Sequence, residues 1–185
     1  MTPLQLQLSE ADRALLTTLT RQLVALLDAQ DEPPSSSADP LAALVGSLNL
    51  QDPESSDRGV QRPEDQVLAR LLPDGYRDDD EAAADFRRFT ESDLRRSKSD
   101  AAQRVLQDLA ANRDPIALDD SAVTAWLGCL NDLRLGLGTR IGITEENLEE
   151  LSQVPDSDPR LPMLQVYDWL TYLQGSLVEL LLPEE

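Results

Sequence analysis

The sequence predicts an all-α protein, a compact, orthogonal or bundle-like domain of six to eight helices over residues 1–185, with one short N-terminal strand. Three observations lead to this class. The core must be mostly Leu, Ala and Val, since aromatic residues make up only 4% of the chain, and Leu and Ala favour helices. Apolar residues recur at spacings of three and four. The connecting segments are short and carry Pro, Gly or capping residues.

The N-terminal part is expected to form a strand and then a helix. In residues 2–8, Leu alternates with Gln, and a period of two indicates a half-buried strand. Its best candidate partner is residues 139–143, where isoleucines alternate around a glycine. Ser9, followed by Asp12 three positions later, resembles a capping box. It predicts a helix with a leucine stripe that runs to about residue 30.

Residues 31–62 interrupt the helical pattern. Four of the 12 prolines of the chain lie here, with several serines between them. This composition predicts a flexible insertion, although residues 41–48 could form a short helix within it. Order is expected to resume at Pro63, at the first position of a helix that Pro73 and Gly75 end.

Caps and helix breakers predict the remaining helices. Acidic residues precede one helix start, Thr90 resembles a further cap, and Asp119 is expected to cap the helix that Gly136 and Gly138 end. The last helix is apolar around most of its circumference, which is typical of a central helix. The expected ranges are 82–89, 90–112, 120–137, 144–151 and 161–182.

The charge of the chain excludes several classes of function. Its 35 acidic and 16 basic residues give a net charge of −19, which repels phosphate groups and anionic lipids and favours solubility and cationic partners. The absence of histidine excludes His-based catalysis and His-ligated zinc. Since no signal peptide and no apolar run of about 18 residues is present, we expect a cytoplasmic protein without membrane contact.

Arg134 is the most informative single residue. On a helical wheel it lies within the apolar stripe of its helix, and a buried guanidinium requires a hydrogen-bonding partner. One interpretation is contact with an anionic ligand, and the alternative is a structural ion pair or a side chain that reaches solvent. The last helix offers Asp168 as the counter-ion and Gln174 inside its apolar stripe. In the simpler alternative, Asp168 and Glu179 face water.

The only basic segment is residues 86–104, with six basic and three acidic residues. Its arginines alternate with aromatic residues, which is one way to contact nucleic acid or an acidic partner. They form the candidate partner surface, although ordinary ion pairing on a solvated helix face explains them as well. These residues are Arg87, Arg88, Arg95 and Arg96.

No catalytic, cofactor-binding or metal-binding residue is predicted. The acidic residues at 145–150 are explained by a helix start, and residues 78–81 lack the alternation of a calcium loop. The glycines at 136–142 do not follow a strand, as a phosphate-binding loop requires. Cys129, the single cysteine, is interpreted as a packed residue, because a reactive thiol requires an open, cationic environment.

Two motifs in the C-terminal half are distinctive. They are WLGCLNDLRLGLGTRIGI over residues 126–143 and VYDWLTYLQGSL over residues 166–177. Together with the opening helix and FRRFTE over residues 86–91, they resemble an actinobacterial family catalogued as domain of unknown function 2017. The resemblance extends over nearly the whole chain except the Pro/Ser-rich segment.

The resemblance implies an all-helical protein without an established catalytic activity, whose gene often lies beside that of the ClpS proteolysis adaptor. Some members are labelled oxidative-stress transcriptional regulators that sense oxidants through paired cysteines. A chain whose only cysteine is Cys129 cannot form an intramolecular pair.

We therefore expect a non-enzymatic regulator or adaptor that acts through protein–protein contacts in stress-responsive transcription. A DNA-binding transcriptional regulator is the first alternative, but a reading helix at the C-terminus would carry Asp168 and Glu179 and no Lys or Arg. An enzyme that uses carboxylates and a metal is the second. We expect protein partners of unknown identity, no direct contact with nucleic acid and no cofactor, and a homodimer stays open.

Overall fold

One long helix forms the centre of the fold. The computed structural model describes residues 3–29, 63, 65–76, 79–111, 113–151 and 153–181. These residues form two strands and six helices, which confirms the predicted all-α class. In chain order they are β1 (Leu4–Leu6), α1 (Glu10–Asp28), α2 (Gln66–Leu71), α3 (Asp80–Ala110), β2 (Ile116–Leu118), α4 (Asp120–Ile141), α5 (Leu148–Leu151) and α6 (Leu161–Glu179).

Helix α4 is the central element, and it contacts α1, α2, α3, α6 and β2. Helix α1 also packs against α3. Leucine provides most of the buried side chains, as the composition predicts. The flexible insertion predicted for residues 31–62, with its short helix at 41–48, lies outside the described residues. Among the described helices, none is both long and apolar enough to span a bilayer.

Helices α1 and α4 begin at the caps that the sequence predicts. Ser9 Oγ accepts a hydrogen bond from the Asp12 N–H at 3.1 Å, and the Asp12 carboxylate accepts one from the Ser9 N–H at 3.3 Å. This capping box provides partners for N–H groups that a helix start leaves free. Asp119 Oδ1 accepts a hydrogen bond from the Ala122 N–H at 2.7 Å and caps the start of α4.

The start of α2 differs from the prediction. The cap is Asp65, whose Oδ1 accepts hydrogen bonds from the backbone N–H groups of Val67 and Leu68 at 2.8 and 3.0 Å. The helix therefore begins at Gln66, and Pro63 lies before it instead of at its first position. The Asp65 carboxylate provides an acceptor for two N–H groups of the first turn, which explains why the helix begins here.

Helix α3 is one continuous helix where the sequence predicted two. Thr90, the expected second cap, lies inside it and donates its hydroxyl hydrogen bond to the backbone O of Phe86 at 2.8 Å. Threonine forms this bond to the preceding turn within helices as well as capping them. The local pattern was therefore ambiguous, and the predicted break is wrong.

Helix α4 continues past the glycines that were expected to end it. A Cβ on Gly136 would lie 3.1 Å from Val67 Cγ1, and one on Gly138 would lie 3.4 Å from the Tyr167 ring. These glycines therefore allow α2 and α6 to approach α4 closely. The helix ends at Gly142, whose φ of 80° is left-handed and whose N–H donates to the Gly138 O at 2.9 Å.

The two strands form a small antiparallel pair, with Leu4 opposite Leu118 and Leu6 opposite Ile116. The N-terminal strand is thus present, but the partner predicted at residues 139–143 is wrong, because that segment contains the last turn of α4. The actual partner shows the same alternation: both of its end residues are buried and the residue between them is exposed.

Helix α6 lies at the edge of the fold. Its apolar circumference predicted a position at the centre, and that prediction is wrong. One side packs against α4 through Leu170, Leu173 and Leu177. On the other side, Tyr172 is 75% exposed and Leu180 is 63% exposed. Hydrophobicity around a whole helix does not specify which neighbours cover it, and here α4 occupies the centre. A second, smaller apolar cluster contains Ile141, Leu151 and Leu164.

Candidate functional site

The four arginines of the predicted partner surface lie on two different faces of α3. Arg87 and Arg95 are buried, with 8% and 6% exposure, whereas Arg88 and Arg96 are exposed. Residues four apart lie on one face of a helix, so the two buried arginines flank Glu91. The prediction of a partner surface is therefore wrong for Arg87 and Arg95.

Glu91 holds both buried guanidinium groups. Arg95 Nη2 donates to Glu91 Oε1 at 2.7 Å, and its Nη1 donates to the backbone O of Leu27 at 2.8 Å. Arg87 Nε lies 3.7 Å from Glu91 Oε2, and Arg87 also forms a salt bridge with Asp74. Through these contacts, the cluster connects α3 with the end of α1 and with the segment after α2. Because buried charges depend on their partners, we expect this cluster to stabilise the packing of α3.

Exposed aromatic rings lie near the start of α3, two on the helix itself and one, on Tyr76, in the segment that precedes it. Phe89 is 76% exposed, Phe86 is 45% exposed and Tyr76 is 53% exposed. The rings of Tyr76 and Phe86 meet edge to face, with their centroids 6.0 Å apart. We call these three residues the aromatic face. Phe89 lies three positions from Phe86 on the same helix, and exposed apolar patches mark interaction sites on soluble proteins.

Paired charges border the aromatic face. Arg88 Nη2 lies 3.6 Å from Asp85 Oδ1, and Arg96 Nη1 lies 3.9 Å from Asp93 Oδ1. Each exposed guanidinium is therefore balanced by a carboxylate of the same helix. Among the described residues of this stretch, the remaining exposed charge is negative, since two further exposed acidic residues lie at its N-terminal end. They are Asp79 and Glu81.

A buried ion pair between α3 and α4 was missed by the sequence reasoning. Lys98 Nζ lies 2.6 Å from Oδ1 of Asp132, which is only 3% exposed. Burial raises the pKa of Asp132, while the hydrogen bond and the charge of Lys98 oppose the rise. Asp132 lies opposite the leucine stripe of its helix. No sequence signal identified Asp132 as buried, because its burial depends on α3, which covers this side of α4.

Arg134 projects from α4 toward α6 and is half-buried. Its Nε donates to Thr171 Oγ1 at 2.9 Å, and its Nη1 donates to Gln174 Oε1 at 2.6 Å. Nη2 lies 3.5 Å from the Tyr167 hydroxyl oxygen, and the guanidinium carbon lies 5.4 Å from the centroid of that ring. Arg134 thus joins the two helices through neutral partners and a cation–π contact.

The predicted ion pair between Arg134 and Asp168 is absent: within the described residues, no salt bridge joins them. Asp168 is exposed, as is Glu179, in agreement with the simpler alternative. Gln174, the third residue of the predicted contact set, does bind the guanidinium. One helical position rotates the side chain by about 100°, so Asp168 points away from the face that Tyr167 presents to α4.

A groove of about 460 Å³ opens beside Arg134. Its walls come from α2, α4, α5 and α6 and from the segment that follows α4. One guanidinium comes from α2 and the other from α4, and most of the lining surface is apolar. The lining residues that define its chemistry are Arg70, Arg134, Glu145, Leu135, Ile143 and Leu148.

Cys129 is buried in the core, which agrees with its interpretation as a packed residue. Its side chain is 1% exposed, and its Sγ lies 4.0 Å from the Thr20 hydroxyl. Burial raises the pKa of the thiol to about 12, and the nearby charge of Asp132 adds to the rise. A thiol in this environment is protonated and shielded, the opposite of a reactive one.

Many acidic side chains serve local structure. Besides the helix caps, Asp158 accepts a hydrogen bond from Arg160 Nη2 at 2.8 Å, and bonds from that residue lower the pKa of Asp158 to about 2. In the part of the chain that the structure describes, no three or more Cys, Asp or Glu side chains gather in a group that could hold a metal ion.

Comparison with known proteins identifies the family. The family model described as Domain of unknown function (DUF2017) matches residues 2–181. The chain belongs to this family. Proteins named "Oxidative stress regulator AosR" from Mycobacterium tuberculosis and Mycobacterium bovis are each 35% identical over 188 residues, which cover 95% of this chain and 80% of the relative. No solved structure matches the chain.

Proposed function

We propose that this chain is a non-enzymatic regulator of the response to oxidative stress that acts through contact with another protein. The names of two family members at 35% identity support a regulatory role. The single observation that carries the mechanism is the aromatic face at the start of α3. Its rings are exposed to solvent instead of being packed in the apolar core.

Exposed aromatic rings are costly to leave in water and are valuable in an interface. Burial of a phenylalanine side chain contributes about 1.5–3 kcal/mol, and aromatic residues are enriched in protein interfaces. Phe89 contributes most of this potential, because 76% of its surface is exposed. Phe86 adds a second ring one helical turn away, held against Tyr76.

The charge around the aromatic face indicates the chemistry of the partner. The chain carries a net charge of −19, and among the described residues near the face the exposed acidic side chains outnumber the two exposed arginines. A basic partner segment with apolar side chains complements this surface. Opposite charges accelerate the encounter and define its orientation.

Direct DNA binding is a weaker reading of the same surface. Only Arg88 and Arg96 of the four arginines are exposed, and each lies within 4 Å of a carboxylate. Strong binding to duplex DNA uses about 6–10 phosphate contacts. Helix α6 carries Asp168 and Glu179 and no basic residue, so it is a poor candidate for a DNA recognition helix.

A matched pair of substitutions tests the proposal. Phe89→Ser removes the most exposed ring of the aromatic face, and Tyr172→Ser removes a ring of almost equal exposure from α6. Both variants should fold, since surface substitutions change stability by about 0.5 kcal/mol. In cross-linked affinity purification from the native cell, we expect Phe89→Ser to reduce recovery of the partner about tenfold or more and Tyr172→Ser to leave it unchanged.

Equal recovery with both variants would contradict the role of the aromatic face. A parallel gel-shift measurement at about 0.15 M salt tests the DNA-binding alternative. A shifted complex that the double variant Arg88→Gln, Arg96→Gln abolishes would replace protein contact with DNA contact as the mechanism. No shift with either protein is the expected result.

A further inference from the structure

The groove beside Arg134 has the features of a ligand site, and its lining shares no residue with the aromatic face. Its volume of about 460 Å³ lies within the range of about 300–1,000 Å³ that is usual for small-molecule sites. We propose that it binds a small organic anion with one negative charge and an apolar body. This inference goes beyond the proposed function and does not depend on it.

The guanidinium groups of the groove lack the counter-ions that are expected in so acidic a protein. Within the described part of the chain, no carboxylate forms a salt bridge with Arg70 or Arg134. The three groups that hold Arg134, on Tyr167, Thr171 and Gln174, are all neutral. Its positive charge is therefore positioned without being neutralised by contact.

Arg134 also keeps hydrogen-bonding capacity. A guanidinium has five N–H donors on three nitrogen atoms. In Arg134, each nitrogen directs one N–H to a partner, which is Thr171, Gln174 or Tyr167. One N–H remains on each terminal nitrogen. These are the donors that arginine uses to bind a carboxylate, and the contacts with α6 hold them in a fixed orientation.

The charges of the lining residues limit the ligand to a single negative charge. Arg70 and Arg134 contribute two positive charges and Glu145 contributes one negative charge, which leaves a balance of +1. Glu145 is exposed. A ligand with several phosphate groups would meet a deficit of positive charge and the field of a chain at −19. A monocarboxylate matches the balance.

The apolar wall indicates what the rest of the ligand is. Leu135, Ile143 and Leu148 line the groove together with the guanidinium groups. Leu148 is 50% exposed, so a ligand that covers it removes apolar surface from water. An anionic head at the arginines and a hydrocarbon body against these side chains satisfy both parts of the site.

Octanoate is a probe of this chemistry, and octylamine has the same body with the opposite charge. Titration of the labelled full chain should shift the backbone amide signals of Thr139 and Thr144, which line the groove, with octanoate at about 10 mM or less but not with octylamine. Loss of one charge-assisted contact weakens binding about tenfold. We expect this loss for Arg70→Gln, which removes one of the two guanidinium groups of the groove. The variant should fold, because Arg70 is exposed.

Arg21→Gln is the matched control, because it removes an exposed arginine from α1, outside the groove. It should leave octanoate binding unchanged. Leu148→Gln should weaken octanoate binding while acetate, which lacks the apolar body, is unaffected. Equal binding of octylamine, equal loss in Arg70→Gln and Arg21→Gln, or no shift with octanoate would each overturn the proposal. None of these measurements involves the aromatic face, so their failure is separate from failure of the proposed function.

Discussion

The thiol of Cys129 provides a quantitative test of the core packing. Burial raises its pKa from 9.0 to about 12, and the thiolate is the form that reacts with oxidants and alkylating agents. At pH 7 the thiolate fraction therefore falls from about 1 in 100 to about 1 in 100,000. Ionisation alone slows the reaction about 1,000-fold, and the 1% exposure of the side chain slows it further.

Alkylation followed by mass spectrometry measures this protection. We expect iodoacetamide to modify the unfolded chain in urea at least about 1,000 times faster than the folded chain at pH 7. The same ratio is expected for mild treatment with hydrogen peroxide. Equal rates in the folded and unfolded states would refute the reasoning and would make Cys129 a candidate oxidant sensor.

The raised pKa also predicts how stability depends on pH. The folded state retains the thiol proton up to about pH 12, whereas the unfolded state releases it near 9.0. The stabilisation is complete below the unfolded pKa and is lost as pH rises toward the folded pKa, by up to about 1.4 kcal/mol per pH unit. Urea unfolding should show a larger loss between about pH 8 and about pH 10.5 in wild type than in Cys129→Ala. Parallel losses would contradict the shift.

Two further substitutions test the buried charges. Arg95→Met leaves Glu91 without its closest partner and should reduce the free energy of unfolding in urea by about 3 kcal/mol, whereas the exposed control Arg96→Met should change it by about 0.5 kcal/mol or less. Equal effects would show that the Arg95 contacts contribute little. Lys98→Met should cost about 3 kcal/mol at neutral pH. Because the pKa of Asp132 is already raised and removal of Lys98 raises it further, protonation should reduce this cost at about pH 4; a cost independent of pH would contradict the buried pair.

Local signals in the sequence were sufficient for much of the helical framework. The capping box at Ser9 and the cap at Asp119 depend on residues within three positions of each other, so a linear reading identifies them. Close approach between distant segments is different. Gly136 and Gly138 resemble helix breakers in the sequence, but the structure uses their missing side chains to admit Val67 and the ring of Tyr167.

The candidate site was predictable only in part, for a related physical reason. A helical wheel identified Arg134 as unusual, and its Gln174 contact follows from the two apolar stripes. The burial of Arg87 and Arg95 depends on α1 and on the segment after α2 covering one side of α3, and the sequence does not specify that packing. Glu91, four residues from each of these arginines, was the available signal.

We propose above all that the aromatic face at the start of α3 contacts a basic protein partner. Its most direct test is a photo-cross-linking phenylalanine analogue placed at Phe89, with the same analogue at Tyr172 as the control. In the native cell, irradiation should link position 89 to a defined protein through a basic, apolar segment, and position 172 should give no such product. A cross-link from position 89 to DNA, or identical products from both positions, would contradict the claim.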